Sequence, residues 1–183
     1  FMSNHLVITA MGVNRPGIVS KFARLASECD CDVVDSRMAL FGSEFTLIMM
    51  LSGSWASITK MESTLPNLSV ELELMTVMKR TSKHTAQNYV SRLEITFNGK
   101  DKRGTMKKIT QFLAERSLDL AAMRSHAEED KNGDPTQTVF LTINVPEKTE
   151  LENLELSINE LAQNMFLDCT IERMQELTVA QEQ

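Results

Sequence analysis

The stretch GVNRPGIVSKFARLASE, Gly12 to Glu28, concentrates the chemical options of this sequence. Gly12 and Gly17 frame a turn in which the backbone can bend tightly and come close to something else. Pro16 suits a first helical position, and Ile18, Val19, Phe22, Leu25, Ala26 and Cys29 follow at helical spacing along one face. Unpaired amide groups at such a helix start, with the helix dipole behind them, favour an anion. A plain tight turn entering a helix fits the same residues equally well, so the stretch alone leaves both readings open.

No catalytic set assembles elsewhere. Asp101 and Asp119 have no acid or base partner in the sequence pattern, His5 and His126 fall in predicted strands, and Cys29 ends a helix on its core side. Glu128, Glu129 and Asp130 precede a Gly-Asp-Pro turn and read as a solvated acidic loop. Three cysteines, Cys29, Cys31 and Cys169, argue for reduced thiols rather than a disulfide frame. The Cys29/Cys31 pair lacks a second ligand pair at metal-binding spacing, so packing is its expected role. We expect neither an enzyme nor a bound metal or cofactor.

Composition sets further bounds. At 183 residues, 42% apolar and 24% charged, the chain can bury a real core as one domain or two small ones. Its 19 Lys and Arg face 25 Asp and Glu, and the net charge of −6 removes the phosphate attraction that drives nucleic-acid binding. The local basic run Lys100, Lys102, Arg103, Lys107 and Lys108 reads as a solvated loop and helix start. Apolar runs such as Phe45 to Leu51 are too short to cross a bilayer, and no charged-then-apolar leader precedes Leu6. A cytoplasmic protein without membrane contact is expected, with Phe1 set aside. Core filling is the expected role of Met49, Met50, Met75, Met78, Met106, Met123, Met165 and Met174, and Trp55 is expected to pack at a helix start.

The elements that must position the loop occur twice. GVNRPGI laid over GKDKRGT aligns Gly12 with Gly99 and Gly17 with Gly104, and the same offset places Asp32 on Asp119 and Arg37 on Arg124. In the first copy the pattern predicts a strand over His5 to Met11, a helix over Pro16 to Asp30 and a strand over Asp32 to Phe41, with Val34, Met38 and Leu40 on one face. After the Gly42-Ser43 turn, Phe45 to Leu51 is a third strand. Ser54 caps a second helix with Trp55, Ile58 and Leu65 inward, stopped by Pro66. A fourth strand is predicted where Val70, Leu72 and Leu74 alternate with Glu71 and Glu73.

In the second copy Leu93, Ile95 and Phe97 mark a strand, Met106, Ile109, Phe112 and Leu113 a helix, and Leu118 to His126 an extended segment. The turn EEDKNGDPTQ is longer than its counterpart, so this hairpin should project further. Val139 to Val145 alternate, Leu151, Leu154, Ile158, Leu161 and Met165 form a helical stripe, and Leu167, Cys169 and Ile171 supply the last strand. The expected class is α+β: two βαββαβ units, residues 5–79 and 89–177 around a linker at 80–88, each an antiparallel sheet with helices on one face. Each sheet keeps an exposed face or edge that the other unit or a second chain must cover, and a homo-oligomer is expected.

The loop Gly12 to Ile18, the helix after it and the strand order around it resemble the ACT domain, a small-molecule-sensing module of amino-acid metabolism. The family pattern of glycine, any residue, Asp or Asn, Arg, Pro, Gly, Ile is met by Gly12, Asn14, Arg15, Pro16, Gly17 and Ile18. The second copy keeps Gly99, Asp101 and Gly104, with Lys102 and Arg103 at the Arg and Pro positions and Thr105 for Ile. The stretches LVITAMGVNRPGIV, EFTLIMMLSGSWASITKMESTLP and VMKRT narrow the resemblance to bacterial tandem-ACT transcriptional regulators.

That resemblance implies two ferredoxin-like ACT domains in a non-enzymatic regulator. It would sense a small amino acid, glycine first, and repress the glycine cleavage operon indirectly by binding its LysR-type activator. The alternative within the same family is a regulatory ACT subunit that controls an enzyme of amino-acid metabolism. The ligand-binding residues implied are Gly12, Asn14, Arg15, Pro16, Gly17 and Ile18 in the first copy and Asp101, Arg103 and Gly104 in the second. A ligand carboxylate would take backbone amides at the helix start, Asn14 would accept from the ligand ammonium, and Arg15 would shape the rim.

Overall fold

The computed structural model describes residues 4–82 and 89–174, and the chain divides into two compact units, Phe1–Thr85 and Ala86–Gln183. The first unit runs β1 (Asn4–Val13), α1 (Ile18–Glu28), β2 (Asp32–Phe41), β3 (Glu44–Gly53), α2 (Trp55–Glu71) and β4 (Met75–Thr81). The second repeats that order as β5 (Tyr89–Lys100), α3 (Thr105–Glu115), β6 (Asp119–Glu129), β7 (Pro135–Pro146), α4 (Leu151–Asn164) and β8 (Asp168–Met174). Their sheets are ordered β2-β3-β1-β4 and β6-β7-β5-β8, antiparallel throughout, which is the α+β arrangement expected.

Alternation along the strands decides which sheet face the helices cover. Leu6, Ile8 and Ala10 of β1 and Phe45, Leu47, Met49 and Leu51 of β3 point one way and are buried against Ile18, Phe22, Ala26, Ile58, Met61 and Leu65. In the second unit Leu93, Ile95 and Phe97 meet Ile109, Phe112, Leu154 and Ile158 in the same way. Each side chain of this size contributes about 1.5–3 kcal/mol on burial, so each unit has its own core.

The helix after β3 departs from expectation. Pro66 does not stop α2; it lies inside the helix, which continues to Glu71. The ring sits on the exposed side, where the carbonyl it leaves unpaired can take water. Meanwhile Met61, Leu65, Leu68 and Leu72 keep a helical stripe in contact with the core. Packing of that stripe outweighs the roughly 3 kcal/mol intrinsic cost of an interior proline. Val70, Leu72 and Leu74 are therefore not a strand: Val70 faces solvent from the helix, and the fourth strand starts at Met75.

Other positions shift similarly. Pro16 lies in the turn ahead of α1, whose N-cap is Gly17, and Val19 is on the exposed side of the helix. Trp55 is 65% exposed, its ring covered by the Arg80 guanidinium at 3.9 Å. Of the methionines expected in the core, Met49 is buried, whereas Met75, Met123 and Met174 are exposed. The whole of β2, with Val34, Met38 and Leu40, is an edge strand that the helices leave largely uncovered. The linker expected at 80–88 begins inside β4, and its residues 83–88 lie outside the described residues, as do 175–177.

The duplication is closer in space than in sequence. Arg80 on β4 donates through Nε and Nη2 to Glu62 Oε1 on α2, and Arg173 on β8 donates to Glu155 Oε1 and Oε2 on α4. Each clasp ties the last strand to the second helix at the same place in its unit. These hydrogen bonds also raise the guanidinium pKa values of Arg80 and Arg173.

Replacing Pro66 with Ala restores a backbone donor on an exposed helix face. We expect Pro66→Ala to stabilise the chain by about 1–3 kcal/mol, read as a higher urea midpoint at unchanged slope. Burial pushes the Cys169 thiol from its ordinary 9.0 up to about 11. The unfolded chain therefore loses this proton first, and stability falls as pH rises from 9 to about 11. The fall in melting temperature over that window should be smaller in Cys169→Ala.

Candidate ligand site: two glycine-framed loops

Both loops are positioned by a close approach of backbones. Gly12, near the end of β1, passes so close to the turn after α2 that an added Cβ would lie 2.6 Å from Leu74 Cδ2 and 3.0 Å from the Glu73 carbonyl oxygen. Gly99 is held in the same way, 2.6 Å from Leu167 Cδ2 and 3.2 Å from the Phe166 carbonyl oxygen. Gly17 and Gly104 serve another purpose. An added Cβ would meet nothing within 4 Å, but their φ angles of +85° and +93° are left-handed. The close approach expected of both loop glycines thus belongs to the first of each pair, and the backbone turn to the second.

A second constraint holds each loop from the other side. The Asn14 N–H donates to the Ser43 carbonyl at 3.5 Å, and the Asp101 N–H to the Pro135 carbonyl at 3.0 Å. Beyond the turn, neither α1 nor α3 is capped by a side chain, which leaves amide groups at its N-terminus available to an anion. Asn14, Arg15, Pro16 and Gly17 form an exposed rim, while the Ile18 side chain belongs to the core. Thr105, at the position of Ile18, is also buried and donates its hydroxyl to the Lys102 carbonyl at 2.9 Å.

The residues that separate the two loops come from the opposing turn, which sequence patterning assigned to a strand in the first copy. Glu73 and Phe166 occupy equivalent left-handed positions, with φ of +53° and +56°. In the first unit Glu73 makes an ion pair with Arg15 across the loop mouth. In the second unit Phe166 is 82% exposed, and Lys102 lies over its ring at 5.2 Å. Arg103 and Lys108 have no carboxylate partner among the described residues. With Lys102, Gly104, Asn164 and Phe166 they line a cavity of about 180 Å³ at the start of α3. A carboxylate at Glu73 thus closes the first loop on itself, and its absence leaves the second with three cations around an opening. Among the described residues there is no cluster of three or more His, Cys, Asp or Glu placed to hold a metal, and no helix long and apolar enough to cross a membrane.

Two βαββαβ units, each with a glycine-framed loop ahead of its first helix, define an ACT-domain regulatory protein, and residues 4–79 match the ACT domain family. The chain is 35% identical over 159 residues to the glycine cleavage system transcriptional repressor of Escherichia coli K12, covering 86% of this chain and 84% of that protein. The Shigella flexneri repressor matches equally. This chain belongs to the glycine cleavage system transcriptional repressor family, whose members are regulators and not enzymes. A crystal structure provisionally assigned to the same repressors shares 34% identity at a TM-score of 0.74, covering 96% of this chain and all, 100%, of that one. A structure of an unknown protein from Galdieria sulphuraria, 18% identical, has the same fold at a TM-score of 0.75 over 95% of this chain and 100% of its own.

The two kinds of glycine separate by what an added methyl group disturbs. Gly12→Ala must displace Leu74 and the turn carbonyl and should cost about 1–3 kcal/mol. Gly17→Ala bears only the left-handed conformation, about 1–2 kcal/mol, with no clash to relieve. Urea midpoints measure both. The Gly12 variant should also perturb amide shifts at Glu73 and Leu74, which the Gly17 variant leaves in place.

Proposed function

We propose that this protein is a glycine-responsive repressor that acts on its operon indirectly, by binding a LysR-type activator. The observation that carries the reading is the small cation-lined cavity at the start of α3, whose Lys102, Arg103 and Lys108 suit the carboxylate of a small amino acid. Helix-start amides add to the attraction, and Asp101 in the same loop supplies a carboxylate for the ligand ammonium. In the first loop Asn14 takes that part, and Arg15 must first release Glu73. The family relationship supports the operon, and the net charge of −6 suits a protein that reaches DNA through a partner. The uncovered β2 edge suits association with a second copy, which would also enclose so small a ligand.

Glycine has few atoms with which to bind. At a ceiling of roughly 1.5 kcal/mol per heavy atom its five heavy atoms limit affinity to the order of micromolar, which suits sensing of an abundant metabolite. To act as a switch, glycine must bind the free repressor more tightly than the activator-bound form. A coupling of about 1–3 kcal/mol changes activator affinity roughly 5- to 150-fold.

Calorimetric titration of glycine into wild type, Arg103→Ala and Arg15→Ala tests the site, and activator pull-down with and without glycine tests the coupling. We expect Arg103→Ala to weaken glycine about tenfold and to blunt its effect on the activator, with a smaller change in Arg15→Ala. Glycine affinity equal in all three proteins places the sensor elsewhere. Recovery of a metabolic enzyme in place of an activator makes the chain a regulatory subunit instead.

A further inference from the structure

The two sheets turn very different faces away from their helices. On the first, Val7, Thr9, Ile48 and Met50 surround Arg37, which pairs with Asp35 on its own strand at 3.7 Å. The same register positions on the second sheet carry Glu94, Thr96, Phe140 and Thr142 around Arg124. The position of Asp35 is taken by Ala122, so the local partner of the arginine is gone. Among the described residues neither Arg124 nor Glu94 makes an ion pair or a hydrogen bond through its side chain. Further along the same face the polar groups are matched: Arg92 Nε donates to Asn144 Oδ1 at 3.1 Å, and Asn144 Nδ2 donates to Asp119 Oδ2 at 3.0 Å.

The unmatched pair flanks a depression. Glu94 on β5 and Arg124 on β6 are separated by β7, two strand spacings or about 10 Å. The guanidinium leans inward over the ring of Phe140, on the strand between them, at 4.5 Å from its centroid. With Thr96, Ala122 and Thr142 these residues line a cavity of about 320 Å³. Glu172 stands directly opposite Glu94 on β8, adding a second carboxylate to that side. One wall is therefore negative, the other positive, the floor is partly aromatic, and the threonine hydroxyls lie between.

We propose that this face is a second small-molecule site, which binds a free α-amino acid larger than glycine with its ammonium toward Glu94 and its carboxylate toward Arg124. The two charges of such a ligand match the two unpaired side chains, and the threonines receive its polar side chain. The volume leaves room beyond a glycine. The site is independent of the loop at α3 and does not rest on the reading given for that loop.

The test is calorimetric titration of the full chain with each of the twenty proteinogenic L-amino acids, and of its best ligand's N-acetyl and α-amide derivatives. Arg124→Gln and Glu94→Gln are made on an exposed sheet face, with circular dichroism to confirm the fold and Arg103→Ala as the loop control. We expect at least one amino acid other than glycine to bind wild type and to lose roughly 10- to 100-fold in each sheet-face variant. Both capped derivatives should lose as much, and the loop variant should bind within twofold of wild type. The proposal is overturned if no amino acid binding responds to Arg124→Gln or Glu94→Gln, or if the capped derivatives bind as tightly as the free amino acid. Glycine binding that responds to Arg103→Ala, with no other amino acid responding to Arg124→Gln or Glu94→Gln, overturns this site and leaves the loop reading standing.

Discussion

The contact on which both loops depend is the missing side chain at Gly12 and again at Gly99. The space a Cβ would fill is occupied by a leucine side chain and a carbonyl oxygen from the turn before the last strand. That approach brings residue 73 or 166 against the first-helix loop, and so lets a distant turn set the chemistry of the loop mouth. Because Leu74 and Leu167 are core residues, the turn cannot withdraw without opening the core. The loop is rigid from beneath and adjustable only at its rim.

Duplication then allows one scaffold to carry two electrostatic outcomes. A carboxylate at residue 73 satisfies Arg15, whereas an aromatic ring at residue 166 leaves a ring of cations unneutralised. The open sheet faces diverge in the same sense. Mostly apolar residues, with Thr9, surround an arginine paired to Asp35 on the first, and mostly polar ones, with Phe140 beneath it, surround an arginine without an ion-pair partner among the described residues on the second. What is conserved between the units is mechanical: the glycine approach, the left-handed helix cap and the Arg–Glu clasp between second helix and last strand. What differs is the set of exposed groups those devices present, the part of a duplicated domain that can change without loss of the fold.

Much of the fold was legible because burial leaves a period in the sequence. Strands β1, β3, β5 and β7 sit in sheet interiors with one face under helices, so every second residue along their buried stretches is apolar, and helices α1, α3 and α4 carry apolar stripes. Legibility failed at α2 because Pro66 is a local stop signal, and its local cost is overridden by contacts between residues distant in sequence. It failed at Trp55 and at the exposed methionines because an apolar residue type does not say whether a partner element arrives to cover it. Arg80, 25 positions beyond Trp55, covers that ring only after β4 has folded beside β1.

By itself, the sequence determined the repeated βαββαβ order, the class of fold and the two loops framed by glycines, since all three follow from turn chemistry and periodicity within short windows. Only the tertiary structure decided which glycine is pressed against a turn, that Glu73 closes the first loop while Phe166 leaves the second open, and that Arg124 faces Glu94 across a strand without a partner. The physical reason is common to all of them. Charge pairing and close approach are fixed by separations of a few ångströms between residues tens of positions apart, and no local pattern encodes such distances.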